Sequence, residues 1–279
     1  LVNIFKGMWL CEGDEATMKH HVGFIGGGNM GTAIISRIYR HYAVAVCEKD
    51  PAKAKVLKRK YRVDNKELPD LVKQSDIVIL AVKPQDSPWV LAEVGGSFTK
   101  DKVLISIAAG LTTGFLEKGL PPGARVVRTM PNMPAVIAEG MTALCGGRNT
   151  RAADIRTARE IFKHVGATEV VDEQWMDAVT AVSGSGPAYV FLFAECLMNA
   201  AASLGLDPKL SRQLVCQTLQ GSVHLLLDSE EEASGLRARV TSKGGTTQAA
   251  MDVFDKYKIQ TVFTRALGAA ERRARQLRQ

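Results

Sequence analysis

Hydrophobic positions in the first part of the chain fall in short solid runs separated by amphipathic stretches. Val22-Gly23-Phe24-Ile25, Ala43 to Cys47, Asp76 to Val82, Val103 to Ile107 and Val126-Val127-Arg128 are runs of this kind. A strand covered by helices on both faces reads as a continuous apolar run, whereas a half-exposed strand alternates. The pattern therefore predicts an open parallel sheet with helices on both sides, including helices over Met30–Tyr39 and near 151–165. A weaker run, Met141 to Leu144, and a last one, Thr168 to Val171, close this part.

After about residue 172 the β-branched runs stop and helical periodicity takes over. Residues 188–204 are apolar on nearly every side, the mark of a helix enclosed all round. Gly205 ends that helix. Asp207 and Pro208 supply an N-cap and a first-turn proline, and Leu210, Leu214, Val215, Thr218 and Leu219 form the stripe of the next helix. So small a helical region does not cover so apolar a helix alone, which predicts a homodimer or a higher assembly. The expected organisation is an extension over 1–17, a sheet domain over 18–172 with its functional start at Met18, and a helical, self-associating domain over 173–279; the motifs below make the former a dinucleotide-binding domain and the latter a dimerisation and substrate domain.

Composition narrows the class without changing this picture. Of 279 residues, 46% are hydrophobic and 23% charged, which excludes disordered, collagenous and coiled-coil classes. No uninterrupted run reaches the roughly 18 apolar residues of a membrane span. Residues 1–17 lack a signal peptide's long apolar stretch. The five cysteines show no CxxC pattern, so no metal site or disulfide framework is expected, and reduced thiols suit a cytoplasmic protein. The net charge of +7 is concentrated in residues 48–62 and in the arginines of the C-terminal helix. Helix ends and solvated faces explain both segments, and no nucleic-acid or membrane partner is expected.

The candidate chemistry lies at the ends of the runs. Gly26-Gly27-Gly28-Asn29-Met30-Gly31 is a GxGxxG turn between a strand and a helix, the context of dinucleotide binding. Gly26 permits the tight turn, Gly28 lets backbone approach a pyrophosphate, and Gly31 allows close packing of helix and strand. Glu48 stands where an acid holds the adenosine ribose of NAD; Lys49, Lys53 and Lys55 lie beside it and suit the 2′-phosphate of NADP. The cofactor is thus NADPH or NADH. Val240 to Thr247 is a hydroxyl-rich glycine turn before a helix, able to bind a small carboxylate or simply to cap that helix. Ser183-Gly184-Ser185-Gly186-Pro187 has the same two readings, with Ser185 as N-cap and Pro187 in the first turn.

Taken in order, GFIGGGNMG (23–31), AVKP (81–84), SIAAG (106–110), MPNMP (130–134), SGSGPAYVF (183–191) and TSKGGTT (241–247) resemble the pyrroline-5-carboxylate reductases over nearly the whole chain. The resemblance implies a Rossmann domain followed by a helical dimerisation domain. It also implies reduction of 1-pyrroline-5-carboxylate to L-proline with NAD(P)H, the last step of proline biosynthesis, by dimers that several members stack into decamers. By resemblance, the glycine turn with Asn29 and Met30 binds pyrophosphate. Ala81, Val82, Lys83 and Pro84 line the dinucleotide together with Ala108 and Ala109. Asn132 lies near the nicotinamide, and Asn65 contacts the ribose or 2′-phosphate near Glu48, Lys49 and Asp50. Ser242, Gly245, Thr246 and Thr247 clamp the substrate carboxylate, with Thr247 near the ring nitrogen. Glu230 matches a glutamate near the substrate, although Ser229 and Glu232 also read as a capping box. The five histidines fall outside these segments, so no histidine base is expected.

The chain departs from the family pattern at three places. Lys243 stands where proline is usual, Ala238 where an aspartate is common, and Glu48 and Asp50 where small polar residues often face the ribose. Two alternatives accompany the resemblance. One is a 3-hydroxyacid or 6-phosphogluconate-type dehydrogenase, with Lys243 as its acid or base. The other is a non-catalytic NAD(P)H sensor on the same fold.

Overall fold

The computed structural model describes residues 20–279. The expected extension and the start at Met18 lie outside the described residues. The chain divides into two compact units: one runs up to Val179 and regains Leu277–Gln279, and the other is Thr180–Gln276.

In the first unit β1 (His21–Ile25), β2 (Ala43–Cys47), β3 (Asp64–Asn65), β4 (Ile77–Leu80), β5 (Val103–Ser106), β6 (Arg125–Met130), β7 (Gly140–Gly146) and β8 (Gly166–Val170) form one sheet, in the order β3-β2-β1-β4-β5-β6-β7-β8. The connecting helices are α1 (Asn29–Ile38), α2 (Pro51–Tyr61), α3 (Leu68–Gln74), α4 (Ser87–Gly95), α5 (Thr113–Lys118) and α6 (Ala152–Lys163). Successive strand residues face opposite layers. Val22, Phe24, Ile77, Ile79 and Ile105 pack with Ile34, Ile35 and Phe162 on one side. Val78, Leu80 and Leu104 pack with Leu71, Leu91 and Val94 on the other. This two-sided burial is why the strands read as solid runs.

The sheet is not parallel throughout. β7 pairs antiparallel with β6 (Val127 opposite Gly146), and β8 then runs parallel to β7. Between β6 and β7 lie nine residues, 131–139, holding only the 3₁₀ turn Met133–Ile137. A parallel crossover needs a dozen or more residues, so the chain reverses instead.

Beyond α6, His164 stacks on His41 with ring centroids 4.5 Å apart, and Tyr42 meets it edge-on. Burial lowers the His164 pKa, the His41 ring lowers it further, and Glu160 opposes both. The folded protein thus holds this proton less readily than the unfolded chain. The contribution is complete above the ordinary histidine pKa of about 6.5 and is lost as pH falls through that value toward the folded one. Urea unfolding from pH 8 to 5 is expected to show a shallower loss of stability in His164→Asn than in wild type; equal slopes would place the acid sensitivity elsewhere.

The short helix α7 (Met176–Val179) ends the first unit. In the second unit the π-helical turn Thr180–Gly184 leads into α8 (Gly186–Ser203), followed by α9 (Pro208–Asp228), α10 (Ala233–Arg239), α11 (Thr246–Lys256) and α12 (Ile259–Gln276). Ser185 occupies the N-cap of α8, but its side chain makes no cap hydrogen bond; its backbone N–H donates to Thr180 O instead, closing the π turn. Asp207 does cap α9, accepting from Lys209 and Leu210 N–H. The enclosure expected for α8 is not supplied by the described residues: among them α8 has no buried residue, and Phe191 and Leu192 are 57% and 59% exposed. By mean hydropathy and length alone, residues 173–203 are long and apolar enough for a membrane span, although no uninterrupted apolar run within them reaches that length. Apolar faces this open mark an interface.

After α12 the chain returns to the first unit. Gln279 N–H donates to Gly110 O, Gln279 O accepts from Thr112 N–H and Oγ1, and Arg278 pairs with Asp177.

Candidate active site

The glycine turn is built for close approach. Gly26 has φ +99°, and a Cβ there would sit 2.7 Å from Ala81 O; one at Gly31 would sit 2.8 Å from Gly26 O. These two glycines let β1, β4 and the start of α1 meet. Gly28 differs: it is the N-cap of α1, and a Cβ there would meet nothing within 4 Å. No side chain caps α1 and its first turn holds no acid. An open N-terminus of this kind attracts phosphate, so the residues present fit a dinucleotide pyrophosphate. Asn29 is exposed beside the opening, and Met30 packs against the core.

The end of β2 is more organised than the sequence indicates. Glu48 Oε2 accepts from Gly27 N–H at 2.7 Å and Oε1 from Asp50 N–H at 2.9 Å. Asn65 Oδ1 accepts from Glu48 N–H at 2.9 Å and its Nδ2 donates to Glu48 O at 3.2 Å. Asp50 caps α2 and lies 3.9 Å from Lys53 Nζ. Lys49 Nζ lies 4.3 Å from the centre of the Trp89 ring, a partner the spacing of motifs did not reveal.

At the end of β4, Ala81 N–H donates to Ile25 O, and Lys83 is exposed where Pro84 opens a 3₁₀ turn. At the end of β5, Ala108 is buried in the core and Ala109 is exposed. Asn132 is half-buried, and its Oδ1 accepts from Met141 N–H at 2.8 Å. The ends of β1, β2, β4 and β5 thus bring the glycine turn, Glu48, Ala81–Pro84 and 106–110 to one edge of the first unit, where open α/β sheets bind ligands.

The first unit also holds a buried ionic group. Arg128, with a side chain 3% exposed, lies 3.1 Å from Glu173 and 3.8 Å from Asp177. Glu173 accepts from Thr113 N–H at 2.7 Å and Thr113 Oγ1 at 2.6 Å. An arginine ending the otherwise apolar Val126-Val127 run was the available signal.

In the second unit the 240–247 segment turns through Gly244 (φ +75°), and Gly245 N–H donates to Ser242 O at 3.0 Å. Gly245 is the N-cap of α11. A Cβ there would lie 2.4 Å from Ser242 Oγ, so the serine hydroxyl rests over the helix start. No side chain caps α11 and its first turn, with Thr246 and Thr247, is free of acids. The turn therefore has the electrostatics of a carboxylate site. Lys243 is exposed beside it. Glu230 is exposed between α9 and α10. The expected capping box does not form: α10 starts at Ala233 with Glu232 as N-cap, whereas Ser229 Oγ accepts from Glu231 N–H and Glu231 pairs with Arg239. Ser229 ends α9, too early to cap α10.

Residues 173–277 match the family model for pyrroline-5-carboxylate reductase dimerisation, and 21–110 match NADP oxidoreductase coenzyme F420-dependent. The pyrroline-5-carboxylate reductase of Mycobacterium tuberculosis is 35% identical over 92% of this chain and 96% of its own; that of Synechocystis is 37% identical over 93% and 99%. The chain belongs to the pyrroline-5-carboxylate reductase family. Among solved pyrroline-5-carboxylate reductases, that of Coxiella burnetii superposes with a TM-score of 0.85 at 34% identity, covering 92% of this chain and 98% of the other. The Plasmodium falciparum pyrroline carboxylate reductase, solved with NADP bound, gives 0.85 at 30% identity, covering 93% and 98%. As a pyrroline-5-carboxylate reductase the chain is an NAD(P)H-dependent oxidoreductase acting on a C=N group, and its helical unit is an oligomerisation domain. The hydroxyacid-dehydrogenase and silent-sensor alternatives are not favoured.

Proposed function

We propose that the two uncapped helix starts are the two anion sites of this reductase. α1 with Gly26, Gly28, Asn29, Met30 and Gly31 takes the pyrophosphate, and the turn before α11 takes the carboxylate of 1-pyrroline-5-carboxylate. Ala81, Val82, Lys83, Pro84, Ala108 and Ala109 line the dinucleotide, and Asn132 stands on its nicotinamide side. When bound, the cofactor supplies a hydride to the C=N carbon. Ser242 and the backbone of Gly245, Thr246 and Thr247 hold the carboxylate and so orient the ring. The Thr247 hydroxyl hydrogen-bonds the ring nitrogen, keeping the carbon electrophilic, and Glu230 is an acid on the substrate side. The observation that carries this reading is the opening over Gly28 at an uncapped helix.

Turnover is tested by loss of reduced-nicotinamide absorbance with 1-pyrroline-5-carboxylate. Thr247→Ala is expected to lower kcat/KM by about 10²-fold while leaving NADH affinity unchanged. A variant as fast as wild type would remove Thr247 from the chemistry.

We further propose that the preferred cofactor is NADH. The Glu48 carboxylate is fixed by two backbone amides, while Lys49 is engaged by Trp89 and Lys53 lies beside Asp50. A ribose hydroxyl can donate to Glu48, but a 2′-phosphate dianion about 4 Å away would be repelled by about 2 kcal/mol even at water's dielectric constant, roughly 30-fold. Glu48→Ser is expected to move the ratio of NADPH to NADH affinity by about that factor, and an unchanged ratio would discard the proposal. The assembly proposed is a homodimer that covers α8 and α9, with stacking into a decamer as its further form. The proposed setting is the cytoplasm.

A further inference from the structure

At the opposite edge of the sheet from the glycine turn lies a cavity of about 810 Å³. It opens at the starts of β1 and β2, lined by His21 and Ala43, whereas the dinucleotide edge is at their carboxyl ends. Five strand residues at about 3.3 Å each separate the two edges by roughly 15 Å. The hollow arises because β3 has only two residues. Ala45 and Val46 pair with Asp64 and Asn65, which leaves Ala43 and Val44 uncovered on that side.

The walls are predominantly cationic. Arg40, Arg59, Lys60, Arg62 and Lys66 line the cavity, against a single carboxylate, Asp64, which is already paired with Lys58 at 3.2 Å. No ion pair with a carboxylate engages Arg40, Arg59, Lys60, Arg62 or Lys66 among the described residues. Arg40 is held instead against Tyr39, its Nε 2.9 Å from the phenol oxygen. The carboxyl ends of α1, α2 and α3 point to this edge and account for some of these cations. They do not account for cations from three separate elements converging on one concavity. Tyr39, Tyr42 and Tyr61 form its aromatic wall, with Tyr39 and Tyr61 5.3 Å apart in tilted contact. The volume falls within the range of small-molecule sites.

We propose that this cavity is a second ligand site, separate from the dinucleotide site, and that it binds a polyphosphate anion. Guanidinium groups match phosphate oxygens in paired hydrogen bonds, and several cations around a concave, partly apolar wall raise local anion concentration. The site gives Arg59, Lys60 and Arg62, at the end of the basic 48–62 segment, a role that hydride transfer does not require.

The probes are inorganic triphosphate and ATP, titrated calorimetrically into the full chain with NADH saturating, so that the dinucleotide site is blocked. Both are expected to bind, with ATP tighter if the tyrosine wall takes part. Arg59→Gln with Arg62→Asn, asparagine being chosen because Arg62 has φ 57°, is expected to weaken triphosphate binding at least 10-fold while NADH affinity and turnover stay unchanged. Binding that survives in this double variant, or that saturating NADH abolishes in wild type, would overturn the proposal. So would an absence of heat and of any melting shift with either probe in the folded wild type.

Discussion

Arg128→Met is expected to destabilise the first unit by about 3–5 kcal/mol, read as a fall in the urea midpoint. The side chain is 3% exposed and faces Glu173 and Asp177; the Asp177 side chain is also only 3% exposed. Removing the cation strands the buried Asp177 carboxylate and takes the guanidinium from Glu173, whose side chain is one-third exposed, and a stranded buried charge costs more than the pair is worth when intact. Arg278 and Thr113 offset part of this, since Arg278 pairs with Asp177 and Thr113 donates twice to Glu173. Burial pushes the Glu173 pKa up most strongly. The two Thr113 hydrogen bonds and Arg128 outweigh it, so the carboxyl is held below its ordinary value. Stability from this group is present above the ordinary glutamate pKa of about 4.3 and is lost as pH falls through the folded value. The loss in Arg128→Met is therefore expected to be largest at neutral pH and to narrow in acid. A cost below 1 kcal/mol at pH 7 would mean that the neighbours reorganise to hydrate both acids.

Gly28→Ala is expected to reduce NADH affinity by roughly 100-fold, about 2.7 kcal/mol, while changing the stability of the cofactor-free protein by less than about 1 kcal/mol. The contrast comes from what surrounds each glycine of the turn. Alanine at Gly26 would need φ +99° and would strike Ala81 O, so the fold would fail before binding could be measured. Gly28 has φ −65°, which alanine adopts freely, and its Cβ would point into open space. That space is where phosphate oxygens must come to reach the α1 amides. The melting shift that NADH gives the wild type should vanish in the variant, since stabilisation follows affinity. A full shift in Gly28→Ala would place the pyrophosphate elsewhere.

Much of the first unit was legible because burial on both faces writes strands as solid runs. Val22 to Ile25, Ala43 to Cys47 and Val103 to Ile107 all became strands close to those bounds. β3 was not legible: two residues between basic helix-end and turn segments carry no hydrophobic signal, yet they set Asn65 against Glu48. The reversal at β7 depends on connection length, which periodicity does not report. Glycines marked both turns, but not that Glu48 bonds the first of them or that Lys49 rests on Trp89, because such contacts join residues from separate elements. The capping box failed for a local reason. Ser229 accepts from Glu231 N–H, two residues short of the helix start at Ala233, and Glu231, not Glu230, takes the ion pair.

The return of Leu277–Gln279 to Gly110, Thr112 and Asp177 makes the helical unit an insertion in topological terms, spliced between Val179 and Leu277 of the other unit. Its chain has two roots in the nucleotide-binding unit. A single backbone break near residue 180 would leave α12 still joined through a noncovalent clasp on the segment that follows β5. The segment that follows β5 is thereby pinned, at Thr112, by a residue 167 positions further along the chain, so that a change at Gln279 acts directly on the backbone at the carboxyl end of that strand.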